Sequence, residues 1–342
     1  MAQDVTFGLG LYTGQRASAS TRPRYRDAIA LARAAEEAGF DAFWVSEHHG
    51  MDDGYLPSPL ALLAAIAAVT ERITLGTGLV IAPLHHPLRI AEDAAVVDQV
   101  SGGRLVLGLG IGYVDHEFRM FDSPWSQRGA RLAETVEVLR RAWTGEPFSF
   151  EGRTMSFADV QVTPRPLRDG GIPIWLGGYA TSAVARAGRI ADGHLTGRGE
   201  PHVIDAATVA LQSVRRPDQS GFVRGVNIAC ILDEPGGHAS SARRAFAAQQ
   251  LGYEHIQVGR GTYASLVANP NPDQGLASGS IASYVQASGS AGEVAASVRR
   301  VIDQLDGWRA IHIVLRLVFP DEDLDQQLER IDLVGRRVLS LL

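Results

Sequence analysis

Short apolar runs alternate with stretches of helical period along most of the chain, the pattern of a parallel sheet whose strands are joined by crossover helices. Val5–Leu11 (VTFGLGL) predicts a first strand, and Arg24–Ala38 carries apolar residues at a spacing near 3.6 until Gly39 stops the helix. Ala42–Ser46 is the second strand. Pro59 opens a helix to Val69, Ile73–Ile81 (ITLGTGLVI) reads as a third strand, Leu88–Val100 as a helix and Leu105–Leu109 as a fourth strand. A helix over Gln127–Trp143, a small hairpin around Gly152, a strand at Ile174–Leu176, a helix over Thr181–Arg189 and a short strand at His194 and Leu195 continue the alternation. Val223–Leu232 and Ala310–Leu317 bring the strands to eight, the last followed by a helix from Asp323. The expected fold class is α/β: one TIM-like (β/α)8 barrel domain over residues 1–342, with a loop insertion after the seventh strand. The segment Tyr263–Tyr284 lacks a period and is rich in Pro, Asn, Gly and Ser. It predicts either a mobile lid on the face where βα loops build active sites or simple disorder.

Composition narrows the function classes. A net charge of -6 over 342 residues, with no basic face, excludes a nucleic-acid binder. The longest apolar run, Leu60–Val69, is roughly half of what a bilayer span needs, and Asp4 precedes any signal-like apolar region, so a cytoplasmic protein with no membrane contact is expected. Cys230 is the single cysteine, which excludes an internal disulfide and any multi-cysteine metal site. All 32 basic residues are arginine, which removes Schiff-base and P-loop lysines together.

The chemistry-bearing residues sit at strand ends. Glu47, His48 and His49 follow the second strand directly, so in a barrel they reach the catalytic face, where an acid beside two histidines suits proton transfer. His85, His86, His116 and His194 also follow strands, but none of their spacings is that of a zinc motif, and no metal is expected. Gly108, Gly110 and Gly112 (GLGIG) fail as a dinucleotide fingerprint because no helix opens at once. With Gly76 and Gly78 they either let a flat ligand approach bare backbone or simply pack. Gly177, Gly178, Tyr179, Ala180, Thr181 and Ser182 open a helix. This is either an anion cradle of backbone N–H groups and hydroxyls, or ordinary N-capping by Thr181 or Ser182.

Three segments carry a resemblance: GFDAFWVSEHHG (Gly39–Gly50), Ile73–Tyr113 and IPIWLGGYATSAVARAGRIADG (Ile172–Gly193). In the same order and over nearly the full chain, they resemble the bacterial luciferase-like family of flavin-dependent monooxygenases. The resemblance implies reduced FMN at the C-terminal face of the barrel, used with O2 to oxygenate a small organic substrate, and a separate NAD(P)H-dependent flavin reductase. It also implies a homodimer. His48 would stand beside the flavin with Glu47 orienting it. A non-proline cis peptide at Thr77 and Gly78 would lie against the flavin ring, Gly110 and Ile111 near the cofactor, and the phosphate at Gly177–Ser182. Ile111 departs from the family pattern, which has an arginine there. A second branch uses a 5-deazaflavin for hydride transfer and carries Asp-His in place of Glu-His-His, so Glu47 favours FMN. A non-catalytic flavin-binding protein is the remaining alternative. Tyr12, Met51, Tyr55, Tyr113 and Trp125 on the βα loops suit an apolar or aromatic substrate.

Overall fold

The computed structural model describes residues 3–11, 24–51, 54–215, 221–258, 285–319 and 322–342. In chain order the first half runs β1 (Asp4–Leu11), α1 (Arg24–Glu37), β2 (Ala42–Val45), α2 (Pro59–Ala67), β3 (Thr74–Thr77), β4 (Val80–Ile81), α3 (Pro87–Ser101), β5 (Leu105–Gly110), α4 (Asp115–Met120) and α5 (Arg128–Ala142). It continues with β6 (Phe148–Glu151), β7 (Ser156–Val160), β8 (Ile174–Gly177), α6 (Thr181–Ile190), β9 (Gly193–Thr196), α7 (Pro201–Gln212), β10 (Val223–Leu232), α8 (Ala239–Val258), β11 (Val285–Gly289), α9 (Ala291–Asp303), β12 (Ala310–Val318) and α10 (Leu324–Arg337).

Eight parallel strands close on themselves in the order β1, β2, β3, β5, β8, β9, β10, β12, and back to β1. The closing pairs set Gly193 against Val223 and Asp4 against Ala310. The fold is a TIM (β/α)8 barrel. The hairpin around Gly152 is the antiparallel pair β6–β7, outside the barrel sheet. Between the seventh barrel strand, β10, and the eighth, β12, the chain inserts α8, β11 and α9, and β11 extends the sheet along the last residues of β10. The expected lid, Tyr263–Tyr284, lies outside the described residues.

The elements follow from local chemistry. Pro87 starts α3, where its missing N–H costs nothing, and Gly102 in the left-handed region ends it. Ser290 and Glu293 form a reciprocal capping box at the start of α9. The predicted third strand is broken: Ile73–Ile81 divides into β3 and β4 around a non-proline cis bond, Gly78–Leu79, one residue beyond the expected position.

Apolar helix faces pack on the outside of the sheet, and a second cluster fills the barrel: Ala42, Trp44, Val106, Trp175, Leu195 and Val314. Trp44 and Trp175 lie with ring centroids 5.0 Å apart. Trp44 Nε1–H donates to His312 Nε2 at 2.9 Å, and His312 Nδ1 is 2.7 Å from Thr6 Oγ1. Burial pushes His312 down to about 3, so the ring is neutral and Nδ1–H donates to the threonine. Gly76 makes room for this indole floor, because a Cβ there would overlap the Trp44 ring. Gly76→Ala is therefore expected to cost about 1–3 kcal/mol through overpacking, read as a lowered denaturation midpoint. An unchanged midpoint would mean that Trp44 yields freely.

Candidate active site

All eight barrel strands point their C-terminal ends to one face, so the segments after β2, β5 and β8 meet there. Beyond β2 successive side chains take different partners. Glu47 and His49 enter one cluster and His48 another.

His48 is buried, and its Nδ1 lies 2.8 Å from Glu117 Oε1 on α4. The same oxygen accepts the His49 backbone N–H at 2.8 Å, which makes it the acceptor and places a proton on His48 Nδ1. His48 Nε2 faces the Tyr113 hydroxyl at 3.0 Å. Tyr55 packs edge-on against the imidazole with centroids 4.8 Å apart, and its hydroxyl is 2.5 Å from Ser46 Oγ. Glu117 is wholly buried, whereas Tyr113 is 47% exposed, so the row Glu117–His48–Tyr113 leads from the interior to the barrel mouth.

The other cluster is closed on itself. Glu47 Oε1 lies 2.5 Å from His49 Nε2 and 2.6 Å from His85 Nε2, while its Oε2 accepts the Ile81 N–H at 2.9 Å. Burial alone would raise the Glu47 pKa, but the bonds and charge interactions with His49 and His85 outweigh it and hold the carboxyl down at about 2. Burial would lower His85, and the bond to Glu47 overrides it and raises the imidazole above its ordinary value. These three donor atoms lie within 4.8 Å of one another, as a metal site requires. The two contacts to Glu47 Oε1 are direct hydrogen bonds, however, and tetrahedral zinc ligands at about 2.0–2.1 Å would stand roughly 3.3 Å apart. The cluster is built as a hydrogen-bonded clamp.

On the same face, the glycines of β5 and β8 make room for neighbouring groups. A Cβ on Gly108 would collide with the Thr77 carbonyl, and one on Gly177 with Leu79; one on Gly110 would come 3.0 Å from Leu79. The half-buried Leu79 side chain thus lies over bare backbone as an apolar platform at the mouth. Thr77 is fully buried, and its hydroxyl joins the Gly108 N–H and C=O, each at 2.8 Å.

At the end of β8, Gly178 has φ +150° and leads into α6, whose N-cap is Ala180 with no side-chain capping bond. The N-capping alternative for Thr181 and Ser182 is thereby removed. Both hydroxyl residues are exposed in the first turn, beside N–H groups that have no helical acceptor. An uncapped helix start with two hydroxyls and a bare glycine backbone is a fit place for a phosphate.

A family model described as luciferase-like monooxygenase matches residues 5–313. The chain belongs to this family. Among its relatives, this luciferase-like chain is 35% identical over 155 residues to the oxygenase component of flavin-dependent trigonelline monooxygenase from Acinetobacter baylyi, covering 44% of this chain and 42% of the relative. It is 37% identical over 177 residues to an F420-dependent glucose-6-phosphate dehydrogenase from Nakamurella multipartita, covering 50% and 51%. The matches span about half the length of these relatives. The fold is shared with monooxygenase RslO1 from Streptomyces bottropensis, with a TM-score of 0.77 and 24% identity over 98% of this chain and 99% of that one.

The structure of this luciferase-like protein brings His48, Gly78, Gly110 and Gly177–Ser182 to one face, and it changes the expected role of one residue. Glu47 does not orient His48. Its two oxygens are taken by His49, His85 and the Ile81 N–H, and Glu117 holds His48 instead. Thr77 spends its hydroxyl inside the sheet. Ile111 is partly buried against the main apolar core, as is Met51, Tyr55 is buried, Trp125 stacks on Arg128, and Tyr12 lies outside the described residues. Cys230 is buried, its thiol pushed up to about 12 by desolvation, as befits an inert core position. Glu117 was missed by sequence reasoning. Its signal is an acid beside Phe118 in the segment after GLGIG, too short to show a helical period.

Proposed function

We propose that this luciferase-like protein is a flavin-dependent monooxygenase that takes reduced FMN from a separate NAD(P)H-dependent reductase and, with O2, oxygenates a small organic substrate. The observation that carries the reading is the Glu117–His48–Tyr113 row, on the same barrel face as the Leu79 platform and the uncapped start of α6. Reduced FMN, when bound, supplies the oxygen activation. Thr181, Ser182 and the backbone of Gly177–Ser182 would hold its phosphate. Leu79 and the surrounding apolar residues keep water from the reacting end. Glu117 fixes His48 as the Nδ1–H tautomer, so Nε2 takes a proton from, or returns one to, the Tyr113 hydroxyl at the mouth. Tyr113 and Trp125 offer an apolar or aromatic wall to the substrate.

The F420-dependent relatives favour a second reading, hydride transfer with a 5-deazaflavin. The Glu47–His48–His49 motif, where the deazaflavin branch of the resembled family carries Asp-His, supports FMN. Purified protein titrated separately with FMN and a 5-deazaflavin, each reduced and oxidised, decides between them. The expected outcome is saturable FMN binding with oxygen consumption. Binding of the deazaflavin alone replaces the first reading with the second, and flavin binding without oxygen consumption for any substrate makes the protein a binder.

A further inference from the structure

The buried layer behind the phosphate cradle contains an arginine that the proposed function does not use. Arg224 lies on β10 opposite His194 on β9, in register, and is fully buried. Its Nη1 donates to His194 Nδ1 at 2.9 Å, to Thr196 Oγ1 at 2.7 Å and to the Gly225 carbonyl at 3.1 Å. Its Nε and Nη2 have no hydrogen-bond partner among the described residues. A guanidinium can only donate, so His194 Nδ1 is the acceptor and the ring proton sits on Nε2. That Nε2–H donates to the Gly178 carbonyl at 3.0 Å. Burial, with the Arg224 charge beside it, pushes His194 down to about 3, which keeps the ring neutral and this tautomer fixed. Arg224 is lowered by burial to about 10 and stays charged at neutral pH.

We propose that Arg224 and His194 form a strut beneath the cradle, which orients the Gly178–Tyr179 peptide toward a phosphate and supplies from behind the cation that Ile111 does not supply from in front. The geometry is direct. Gly178–Tyr179 is not among the cis bonds, and a trans peptide sets its N–H opposite its C=O. Fixing Gly178 O on His194 therefore fixes the direction of the Tyr179 N–H, a donor of the Gly177–Ser182 segment that leads into α6. The chain Arg224–His194–Gly178 ends one residue before the N–H groups that would meet the anion, and within the protein interior a charge is weakly screened. Both residues are positioning residues, because neither touches the ligand.

The inference rests on reading Gly177–Ser182 as a phosphate cradle, and the test separates the two. Dissociation constants for FMN and for riboflavin, which lacks only the phosphate, are measured by quenching of flavin fluorescence on wild type, Arg224→Met, Arg224→Lys and His194→Leu. Wild type is expected to prefer FMN by at least about tenfold, each strut-breaking variant to lose about tenfold of that preference, and Arg224→Lys to recover part of it. Riboflavin affinity should stay within about threefold throughout, which a general loss of structure would not allow. A wild type that binds both flavins equally overturns the cradle. A wild type that prefers FMN, with the preference intact in a folded His194→Leu or Arg224→Met protein, overturns the strut alone. Should Arg224→Met fail to fold, His194→Leu decides, since it cuts the chain and leaves the arginine in place.

Discussion

His48→Ala is expected to lower turnover with reduced FMN and O2 by a factor of about 100 to 10,000, the range for one positioned acid–base group. The loss should fall on turnover and leave FMN affinity nearly unchanged, because the phosphate cradle is on the β8–α6 segment and His48 is on the β2 loop. Glu117→Gln should move in the same direction and by a comparable factor: the imidazole stays, but the amide NH2 can donate to Nδ1 and invert the tautomer, as happens when the orienting acid of a catalytic triad becomes an amide. Tyr113→Phe removes the hydroxyl 3.0 Å from His48 Nε2 and should slow the same step without affecting folding, since Tyr113 is half exposed. The assay uses a generic flavin reductase and a substrate panel, with hydrogen peroxide release as the measure of uncoupled oxygen activation. A His48→Ala protein that turns over at the wild-type rate makes His48 structural and removes the row from the mechanism.

The sequence made the barrel legible because apolar period and Gly/Pro punctuation repeat with each βα unit, and each barrel strand runs through its expected position. What it hid has local causes. The six residues of α4 are too few to display a helical period, so Glu117, 69 residues from His48, stood in a stretch that read as loop. The insertion after the seventh strand was legible as such, but the strand β11 inside it was not, because VQASG is small and mostly polar, without alternation. The break between β3 and β4 falls at a Gly-Leu step inside an otherwise ideal apolar run. The glycines left two readings open, and which groups stand against them, the Thr77 carbonyl at Gly108 and Leu79 at Gly110 and Gly177, depends on which strand lies opposite and is absent from the spacing. Glu47 is the clearest case. Adjacency in sequence suggested that it serves His48, but successive side chains take different partners, and Glu47 reaches His49, two residues on, and His85 across the β3–β4 connection.

That rearranged role gives Glu47→Ala the largest expected effect on stability. The substitution leaves two histidines and the Ile81 N–H without their acceptor in a buried site, and removing one partner of a buried charged network costs about 3–5 kcal/mol. The sign of the clamp's pH dependence follows from its two shifted groups. Glu47 is held near 2 against an ordinary 4.5, so its ionised form contributes stability that is complete above 4.5 and is lost as pH falls through about 2. The size is about 3 kcal/mol at about 1.4 kcal/mol per unit. His85 is raised above 6.5, so its contribution is complete below that value and is lost as pH rises through its folded pKa. The clamp's contribution should therefore be greatest between about 4.5 and 6.5 and decline on both sides. Because the buried neutral His194 and His312, held near 3, separately take stability away as pH falls below 6.5, it is the difference between wild type and Glu47→Gln, which cannot ionise, that isolates the clamp. Denaturant unfolding at several pH values between 3 and 8 reads this directly. Turnover per folded molecule of Glu47→Gln should remain near wild type, because no atom of Glu47 bonds to His48 among the described contacts, and His49→Ala should likewise act on stability. A Glu47→Ala protein as stable as wild type, or a Glu47→Gln protein that folds normally but loses turnover as severely as His48→Ala, would return Glu47 to the catalytic machinery and dissolve the separation between clamp and proton row.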